Sequence, residues 1–273
     1  MTPFLLATDL DRTLLPNGPA PDDGGISALF SALAKTEHIL AYVTGRNLAM
    51  VHDAQKQYGI PTPDYLIAEV GTRMFRQVEG ALVPDEGWID YVAQREPSWD
   101  RDKITKAIGT EQELSLQEPE VQNRFKISYY LPAHAHKGAA LAHINKALAH
   151  VPVDANVVWS VDPLKNNVGL IDVLPKTATK ATALEFLRVQ EKLEKKDVIY
   201  CGDSGNDILP LTQCYNSILV KNAPEDVQQS VRKIVEEKGC AARLYVAVGK
   251  NGRNGNYASG ILEGLRHFHF VPS

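Results

Sequence analysis

The sequence predicts an α/β fold, and two features of its apolar pattern carry that prediction. Toward both ends of the chain, short apolar runs alternate with segments whose apolar residues recur at helix spacing. This alternation is typical of a parallel sheet with helices on both faces. From about residue 80 to residue 175 a mixed pattern replaces it. We therefore predict a Rossmann-like parallel-sheet core domain, residues 1–80 and 176–273, with an inserted α+β domain, residues 81–175.

The first stretch of the predicted core alternates strands and helices in order. Phe4–Thr8 is a continuous apolar run, which indicates a buried strand. Apolar residues at helix spacing over 26–33 precede a second strand candidate, His38–Val43. A further helix pattern over 51–58 leads to a third strand candidate at 64–68.

The middle of the chain has a different pattern. Residues 84–120 are polar and indicate short helical stretches at best. Residues 125–131 alternate as a half-buried strand does. Residues 156–161 and 169–174 predict a hairpin around residues 162–167. These are the elements of a small α+β domain.

The strand and helix alternation resumes after residue 175. It predicts a helix from about residue 179 to residue 192, followed by a strand at 198–201. The alternation ends with a strand at 218–220, a helix pattern over 227–234 and a strand at 244–248. The segment therefore continues the parallel sheet that the first stretch begins.

Composition excludes several classes of protein. Of the 273 residues, 44% are hydrophobic and 23% are charged, which excludes disordered and fibrous chains. The formal charge of −4 leaves no basic excess for nucleic acid or an anionic membrane.

The cysteines and the first residues favour a reducing compartment. Three cysteines form no C-x-x-C pair and are odd in number, so we expect neither a disulfide framework nor a zinc site. The first residues lack a basic leading region, and no apolar stretch reaches the roughly 20 residues that cross a bilayer. We therefore expect a cytoplasmic protein.

Polar clusters fall directly after three of the strand candidates. Asp9 and Asp11 follow the first strand, Thr44 follows the second, and Asp203 and Asp207 follow the strand at 198–201. The carboxyl ends of strands in an open parallel sheet converge on one crevice, where ligands bind. Carboxylates gathered there are costly unless a cation neutralises them, and oxygen ligands suit Mg²⁺. Each cluster alone is more typical of a helix cap or a solvated loop, but their common position predicts a site.

Four motifs follow one another along the chain: Asp9-Leu-Asp11-Arg-Thr13-Leu, Thr44-Gly45-Arg46, Lys180 and Gly202-Asp203-Ser204-Gly205-Asn206-Asp207. In this order they resemble the four motifs of haloacid dehalogenase superfamily phosphatases. The inserted domain is similar to the cap domain of the sugar-phosphatase branch. Further segments are similar to sucrose-phosphate phosphatases: 63–65, 70–72, 126–130, 172–175 and 260–265.

The resemblance implies a role for each core residue. Asp9 would attack phosphorus and form an aspartyl-phosphate. Asp11 would protonate the leaving sugar oxygen and then deprotonate water. Mg²⁺ would be held by Asp9, the backbone carbonyl of Asp11, and Asp203, with Asp207 as a ligand or behind the ligands. The phosphate would be bound by Thr44, Gly45, Lys180 and Asn206.

The cap domain would recognise the sugar. The expected contacts are Lys126, Ser128 and Asp172 of the cap, with Thr72 from the core. Lys126 and Ser128 have an alternative interpretation as the solvated face of an alternating strand. The longer loop at 162–167 is a further candidate for reaching the substrate.

The implied function is hydrolysis of sucrose 6-phosphate to sucrose and inorganic phosphate, a step of sucrose biosynthesis. The alternatives are a phosphatase of mannosylfructose phosphate or trehalose phosphate, a sugar phosphomutase, and a non-catalytic sugar-phosphate binding module. The expected partner is a small-molecule sugar phosphate, and association with a sugar-phosphate synthase is left open.

Overall fold

The computed structural model describes residues 3–162 and 168–272. The chain divides into two units, which are unit 1, Met1–Asp85 with Lys180–Ser273, and unit 2, Glu86–Thr179. The sequence places the domain boundaries a few residues earlier, after residues 80 and 175. The structure assigns 81–84 to unit 1 because these residues pair with the preceding strand of its sheet.

The described residues form the following strands and helices. The strands are β1 (Phe4–Thr8), β2 (His38–Val43), β3 (Tyr65–Ala68), β4 (Arg73–Val78), β5 (Ala81–Pro84), β6 (Ser115–Leu116), β7 (Ile127–Leu131), β8 (Ala155–Asp162), β9 (Val168–Pro175), β10 (Val198–Gly202), β11 (Asn216–Leu219) and β12 (Leu244–Val246). The helices are α1 (Gly25–Leu33), α2 (Leu48–Tyr58), α3 (Glu86–Arg95), α4 (Arg101–Ile108), α5 (Lys137–Leu148), α6 (Lys180–Gln190), α7 (Ile208–Leu211), α8 (Glu225–Glu237) and α9 (Tyr257–His267).

Unit 1 is built on an eight-stranded sheet in the order β12-β11-β10-β1-β2-β3-β4-β5. The first six strands in this order are parallel. β4 and β5 extend the sheet as antiparallel strands. The predicted α/β fold with a mostly parallel sheet is confirmed. β4 and β5 were not predicted from the sequence, because neither segment has the continuous apolar run of a strand buried on both faces.

The core of unit 1 forms where helices cover the central strands. All five residues of β1 are buried, and Leu6 and Tyr42 of neighbouring strands belong to one apolar cluster with Leu29 of α1. The contact between α1 and α9 is close, since a Cβ on Gly25 would lie 2.5 Å from the backbone nitrogen of Ser259. Only glycine permits this approach, which brings the two helices together on the sheet.

Unit 2 is an antiparallel sheet in the order β6-β7-β9-β8 with its own core. The predicted hairpin is present, since β8 and β9 pair along their length. Of the predicted loop at 162–167, residues 163–167 lie outside the described residues. The expectation of short helical stretches over 84–120 is confirmed, since α3 and α4 have 10 and 8 residues. Each helix buries two apolar residues four positions apart, Trp88 with Val92 and Ile104 with Ile108, which is enough to fix it on a core despite a polar surface.

Two of the three cysteines form a disulfide, which the sequence did not lead us to expect, since an odd number of cysteines argued against a disulfide framework. Cys214 follows α7 and Cys240 follows α8, and their Cα atoms lie 5.6 Å apart, within the usual range for such a bond. Cys201 is free and buried. The sequence could not show the pairing, because the two cysteines are 26 residues apart. They become neighbours only when α8 packs so that its end returns to the loop after α7. Lys238 makes the same connection by donating its ammonium to the carbonyl oxygen of Thr212.

None of the helices within 3–162 and 168–272 combines the length and the apolar character needed to cross a bilayer.

We expect the disulfide to stabilise unit 1 measurably. It closes a loop with a sequence separation of 26 residues. A crosslink of that span lowers the conformational entropy of the unfolded chain, which raises the free energy of unfolding by about 3 kcal/mol. Urea unfolding of the oxidised protein should therefore give a higher free energy of unfolding than the Cys214→Ser, Cys240→Ser double variant. A reducing agent should lower the stability of the first protein and leave that of the second unchanged. Equal stabilities of the two proteins under oxidising conditions would contradict a structural disulfide.

Candidate functional site

The polar clusters of unit 1 meet because their strands are neighbours in the sheet. Asp9 follows β1, Thr44 follows β2 and Asp203 follows β10, and the sheet order places β1 between the other two. All three strands are parallel, so their carboxyl ends lie at the same edge. The backbone amide of Asp9 donates to the carbonyl oxygen of Cys201, which continues the ladder into the site.

The ammonium of Lys180 stands at the centre of the site. It is the first residue of α6, and its side chain is only 2% exposed. Its Nζ lies 2.8 Å from Oδ1 of Asp9 and 2.8 Å from Oδ1 of Asp207. It also donates to the side-chain oxygen of Asn206 at 3.1 Å. One cation therefore bonds residues from β1 and from the loop after β10.

Asp207 organises the loop in which it lies. Besides Lys180, its Oδ1 accepts a hydrogen bond from the hydroxyl of Tyr200 at 2.6 Å. Its Oδ2 accepts bonds from the backbone amides of Asp203 and Ser204 and from the Ser204 hydroxyl. Gly202 makes this possible, because a Cβ there would lie 2.6 Å from the Cβ of Asp207. Both oxygens of Asp207 are thus occupied by donors of the protein.

The site carries more negative charge than Lys180 neutralises. Burial, together with the carboxylates of Asp207 and Asp203, raises the pKa of Asp9 to about 8, although Lys180 acts in the opposite direction. Burial and the neighbouring Asp207 raise the pKa of Asp203 to about 6, against the lowering effect of Arg12. Burial would lower the pKa of Lys180, but Asp207 and Asp9 outweigh it and raise that pKa.

These charges fit a bound divalent cation. Asp9, Asp203 and Asp207 are buried, and each offers a carboxylate oxygen within 4.8 Å of the others. Burial first, and the neighbouring carboxylates second, raise the pKa values of Asp9 and Asp203, so their ionised forms are disfavoured without a further cation. A hard cation with oxygen ligands removes the repulsion between the carboxylates, and an all-carboxylate donor set suits Mg²⁺ better than softer metals.

Asp11 has a different environment from Asp9, two residues away. Its carboxylate accepts a fork of hydrogen bonds from Arg46, from Nε at 2.9 Å and from Nη2 at 2.7 Å, and another from the amide of Asn17. Its side chain is 41% exposed. Burial acts to raise the pKa of Asp11, but the bonds from Arg46 and Asn17 outweigh it and lower that pKa. Its carboxyl group lies outside the buried cluster of three.

The predicted phosphate-binding residues lie around this cluster. Thr44 is fully buried, and its hydroxyl accepts a hydrogen bond from the backbone amide of Arg46 at 3.1 Å. Gly45 stands between them. The amide oxygen of Asn206 accepts from Lys180 and from the Ser204 hydroxyl. The structure thus places Lys180 and Asn206 in direct contact. Thr44 and Gly45 lie at the carboxyl end of β2, the strand next to β1.

The predicted sugar contacts fall in two places. Thr72 lies in unit 1, where its buried hydroxyl donates to the carbonyl oxygen of Glu69. Ser128 of β7 and Asp172 of β9 are register partners in unit 2, and the Ser128 hydroxyl donates to Asp172 at 2.6 Å. Ser128 is completely buried and Lys126 is 8% exposed. The alternative interpretation of these two residues as a solvated strand face is therefore wrong.

The structure adds three residues to the site that sequence reasoning left without a role. Arg46 binds Asp11, Tyr200 binds Asp207, and the guanidinium of Arg12 lies 3.4 Å from Asp203. Arg12 and Arg46 were visible as parts of motifs, but their partners are set by the fold. The sequence signal for Tyr200 is a hydroxyl-bearing residue inside an otherwise apolar strand, because a buried hydroxyl needs a partner.

The chain is similar to known phosphatases along nearly its whole length. A model of the family described as sucrose-6F-phosphate phosphohydrolase matches residues 2–269. A HAD-like hydrolase of Nitrosococcus oceani is 38% identical over 268 residues, covering 97% of this chain and 71% of that protein. Sucrose-phosphatase 2 of Nicotiana tabacum is 27% identical over 263 residues, 90% of this chain. The chain spans only 58% of the length of that tobacco relative.

Two further relatives match over their full length. Mannosylfructose-phosphate phosphatase of Agrobacterium fabrum is 27% identical over 281 residues, which cover 98% of each protein. Among solved structures, the sucrose-phosphatase of a Synechocystis species, in complex with sucrose and phosphate, has a TM-score of 0.74 and 28% identity. That match covers 98% of this chain and 99% of the other.

We expect removal of the Tyr200 hydroxyl to destabilise unit 1 more than removal of an equivalent hydroxyl elsewhere. Tyr200→Phe deprives the buried carboxylate of Asp207 of a donor, which should lower the free energy of unfolding by about 2 kcal/mol. Tyr42→Phe is the matched control, because Tyr42 is also buried but donates to a neutral acceptor, the carbonyl oxygen of Pro61. Its cost should be about 1 kcal/mol. Urea unfolding measures both, and a larger cost for Tyr42→Phe would contradict the role given to Tyr200.

Proposed function

The chain belongs to the sucrose-6F-phosphate phosphohydrolase family, and on that premise we propose that it is a Mg²⁺-dependent phosphatase that hydrolyses sucrose 6-phosphate to sucrose and inorganic phosphate. Its family and the similar phosphatases identify the chain as a phosphoric monoester hydrolase of the haloacid dehalogenase (HAD) superfamily.

The observation that carries the proposal is the surroundings of Asp9. This carboxylate is buried at the end of a central parallel strand, is bonded to a buried lysine, and lies close to two further carboxylates. Burying charges costs stability, even when they are paired. Such a cluster suits a nucleophile that must approach a negatively charged phosphate.

Asp9 is the proposed nucleophile. Its carboxylate would attack phosphorus and displace the sugar oxygen, and an aspartyl-phosphate would form. The contact with Lys180 favours the ionised form of Asp9, which is the form that attacks, and fixes the direction of its Oδ1. A water molecule would then release inorganic phosphate from Asp9.

Asp11 is the proposed acid and base. In its observed contacts with Arg46 and Asn17 the carboxylate is held ionised, which suits proton removal from the water of the second step. Protonation of the leaving oxygen in the first step requires a proton on Asp11. That step therefore calls for release of Asp11 from Arg46, since the guanidinium favours the charged form.

Three groups are proposed to hold Mg²⁺, namely Asp9, the backbone carbonyl of Asp11, and Asp203. Asp207 would support them from behind, because the protein's own donors occupy both of its oxygens. When bound there, the cation neutralises charge between the nucleophile and the phosphate. Lys180, Thr44, Asn206 and the backbone of Gly45 are proposed to bind phosphate oxygens.

Sugar recognition is assigned to Lys126, Ser128 and Asp172, with Thr72. The hydrogen bond between Ser128 and Asp172 leaves the carboxylate able to accept from sugar hydroxyls and holds its direction. The second candidate substrate is mannosylfructose phosphate, which is favoured by the relative that matches over 98% of both chains. The cytoplasmic location and any association with a synthase stay predictions.

We expect the two catalytic carboxylates to be essential in different degrees. Asp9→Asn removes the nucleophile and should abolish phosphate release, while Asp11→Asn should lower kcat about 10³-fold, the usual contribution of an acid or base. Phosphate release from sucrose 6-phosphate with Mg²⁺ measures both. Asp53→Asn is the control, because Asp53 is exposed on α2 and should leave the rate unchanged. Full activity of Asp9→Asn would exclude the covalent mechanism.

A panel of sugar phosphates tests the substrate. With Mg²⁺ present, we expect kcat/KM for sucrose 6-phosphate to exceed that for mannosylfructose phosphate and trehalose 6-phosphate by about tenfold or more. A preference for mannosylfructose phosphate would replace the proposed substrate. An isomerised sugar phosphate would indicate a mutase, and binding without phosphate release would indicate a binding module.

A variant of Lys126 tests whether this lysine recognises the sugar. Lys126→Ala should raise KM for sucrose 6-phosphate more than KM for a small aryl phosphate, because only the sugar would contact the lysine. Lys146, exposed on α5 of the same unit, supplies the matched variant Lys146→Ala, which should change neither value. Equal effects of Lys126→Ala on both substrates would remove Lys126 from sugar recognition.

A further inference from the structure

Asn17 connects two parts of the loop that follows β1. It lies six residues after Asp11 in unit 1. Its side-chain Nδ2 donates a hydrogen bond to Oδ1 of Asp11, and its side-chain oxygen accepts one from the backbone amide of Arg12 at 2.8 Å. One amide group therefore contacts both the carboxylate of Asp11 and the peptide bond that follows this residue.

The two partners match the chemistry of an asparagine side chain. An ionised carboxylate only accepts hydrogen bonds, and a backbone amide only donates them. The Asn17 amide offers its NH₂ group to the first and its oxygen to the second. Aspartate has the same length but no donor when ionised, and serine is too short to reach both partners. The two contacts together therefore call for asparagine at this position.

The bond to Arg12 also acts on the backbone carbonyl of Asp11. This carbonyl and the Arg12 N–H belong to the same trans peptide bond. A trans peptide is planar, and its C=O and N–H point in opposite directions. Because the Arg12 N–H is directed at Asn17, the direction of the Asp11 carbonyl is fixed as well. That carbonyl is the backbone ligand proposed above for Mg²⁺.

The backbone of Arg12 is strained, and side-chain amides hold it on both sides. Its φ is 58°, in the left-handed region that a side chain makes sterically costly. Its carbonyl oxygen accepts a hydrogen bond from Nδ2 of Asn222 at 2.6 Å, while its N–H is held by Asn17. Strained backbone of this kind persists only where the surroundings enforce it, and it is concentrated at functional sites.

The turn that returns Asn17 to Asp11 is fixed by the core. The carbonyl oxygen of Leu10 accepts hydrogen bonds from the backbone amides of residues 13–15, and the side chains of Leu14 and Leu15 are fully buried. Asn17 itself is exposed. Its side chain therefore adds nothing to the core, and its two hydrogen bonds are its contribution to the molecule.

We propose that Asn17 is a positioning residue of the phosphatase reaction, whose amide oxygen directs the Asp11 carbonyl for Mg²⁺ and whose NH₂ group holds the Asp11 carboxylate. The inference rests on the function proposed above. Protonation of Asp11 calls for its release from Arg46, and the bond from Asn17 can persist through that release, because a neutral donor binds either form of a carboxyl group. Asn17 thus suits a group that must act as acid and then as base.

Metal binding tests the contact with Arg12. The probe is Mn²⁺, which takes the same oxygen ligands as Mg²⁺, and electron paramagnetic resonance of the full chain without substrate measures its dissociation constant. Asn17→Ala removes the acceptor for the Arg12 amide and should raise this constant about tenfold or more. Asn17→Asp keeps an acceptor for the Arg12 amide and should bind Mn²⁺ at least as tightly as the unaltered protein.

Turnover tests the contact with Asp11. Both variants lose the donor to the Asp11 carboxylate, so both should lower kcat for phosphate release about tenfold or more at saturating Mg²⁺. The substrate is the sugar phosphate that the unaltered protein hydrolyses fastest, and its KM should stay unchanged, because neither contact of Asn17 involves the substrate. A loop that was merely destabilised would instead lose metal affinity in both variants.

Asn216→Ala is the matched control. Asn216 also donates from Nδ2 to a backbone carbonyl, that of Lys196 at 2.7 Å. It begins β11, so it lies at the opposite edge of the parallel sheet from the site. Its variant should leave the dissociation constant for Mn²⁺ and kcat unchanged. Thermal unfolding checks that each variant is folded, and Asn17→Ser replaces Asn17→Ala, with the same expected losses, if the latter is not.

The outcomes separate this inference from the proposed function. Unchanged affinity for Mn²⁺ in Asn17→Ala, or weakened affinity in Asn17→Asp, would overturn the role of Asn17 toward the Asp11 carbonyl. Unchanged kcat in both variants would overturn its role toward the carboxylate. If the unaltered protein bound no Mn²⁺ and released no phosphate from any sugar phosphate, the proposed function would fail and this inference with it.

Discussion

The ion pair between the ammonium of Lys180 and the carboxylates of Asp9 and Asp207 is the interaction on which unit 1 depends. The Lys180 side chain is 2% exposed, and those of Asp9 and Asp207 are 8% and 0% exposed, so each charge needs the others to remain buried. The three residues come from the end of β1, the start of α6 and the loop after β10. The three side chains can meet only because β1 and β10 are neighbours in the sheet and because α6 begins at Lys180, next to their carboxyl ends.

The buried ion pair also determines the conformation of the loop after β10. Asp207 accepts bonds from the amides of Asp203 and Ser204, and these bonds fix the backbone that carries Asp203 toward Asp9. Gly202 has to remain without a side chain, because Asp207 folds back onto it. One carboxylate thus fixes a loop and also holds the lysine, so the charged centre contributes to the fold of this part of unit 1.

Two carboxylates only two residues apart have opposite surroundings in this site. Burial and like charges raise the pKa of Asp9, while Arg46 and Asn17 lower that of Asp11. Groups whose environments separate their pKa values in this way can take different chemical roles. The separation comes from the neighbours of each side chain, because Asp9 is buried against Lys180 of α6 and Asp11 meets the Arg46 fork from the loop after β2.

The sequence by itself determined the parallel sheet and the gathering of Asp9, Thr44 and Asp203 at one edge. Apolar runs and the residues that end them are local, and parallel strands necessarily bring their carboxyl ends together. Only the tertiary structure decided that Arg46 holds Asp11, that Tyr200 supports Asp207 and that Cys214 bonds Cys240. It also decided that β4 and β5 extend the sheet. These contacts join residues whose distance depends on the packing of whole helices and strands, which no local pattern of residues specifies.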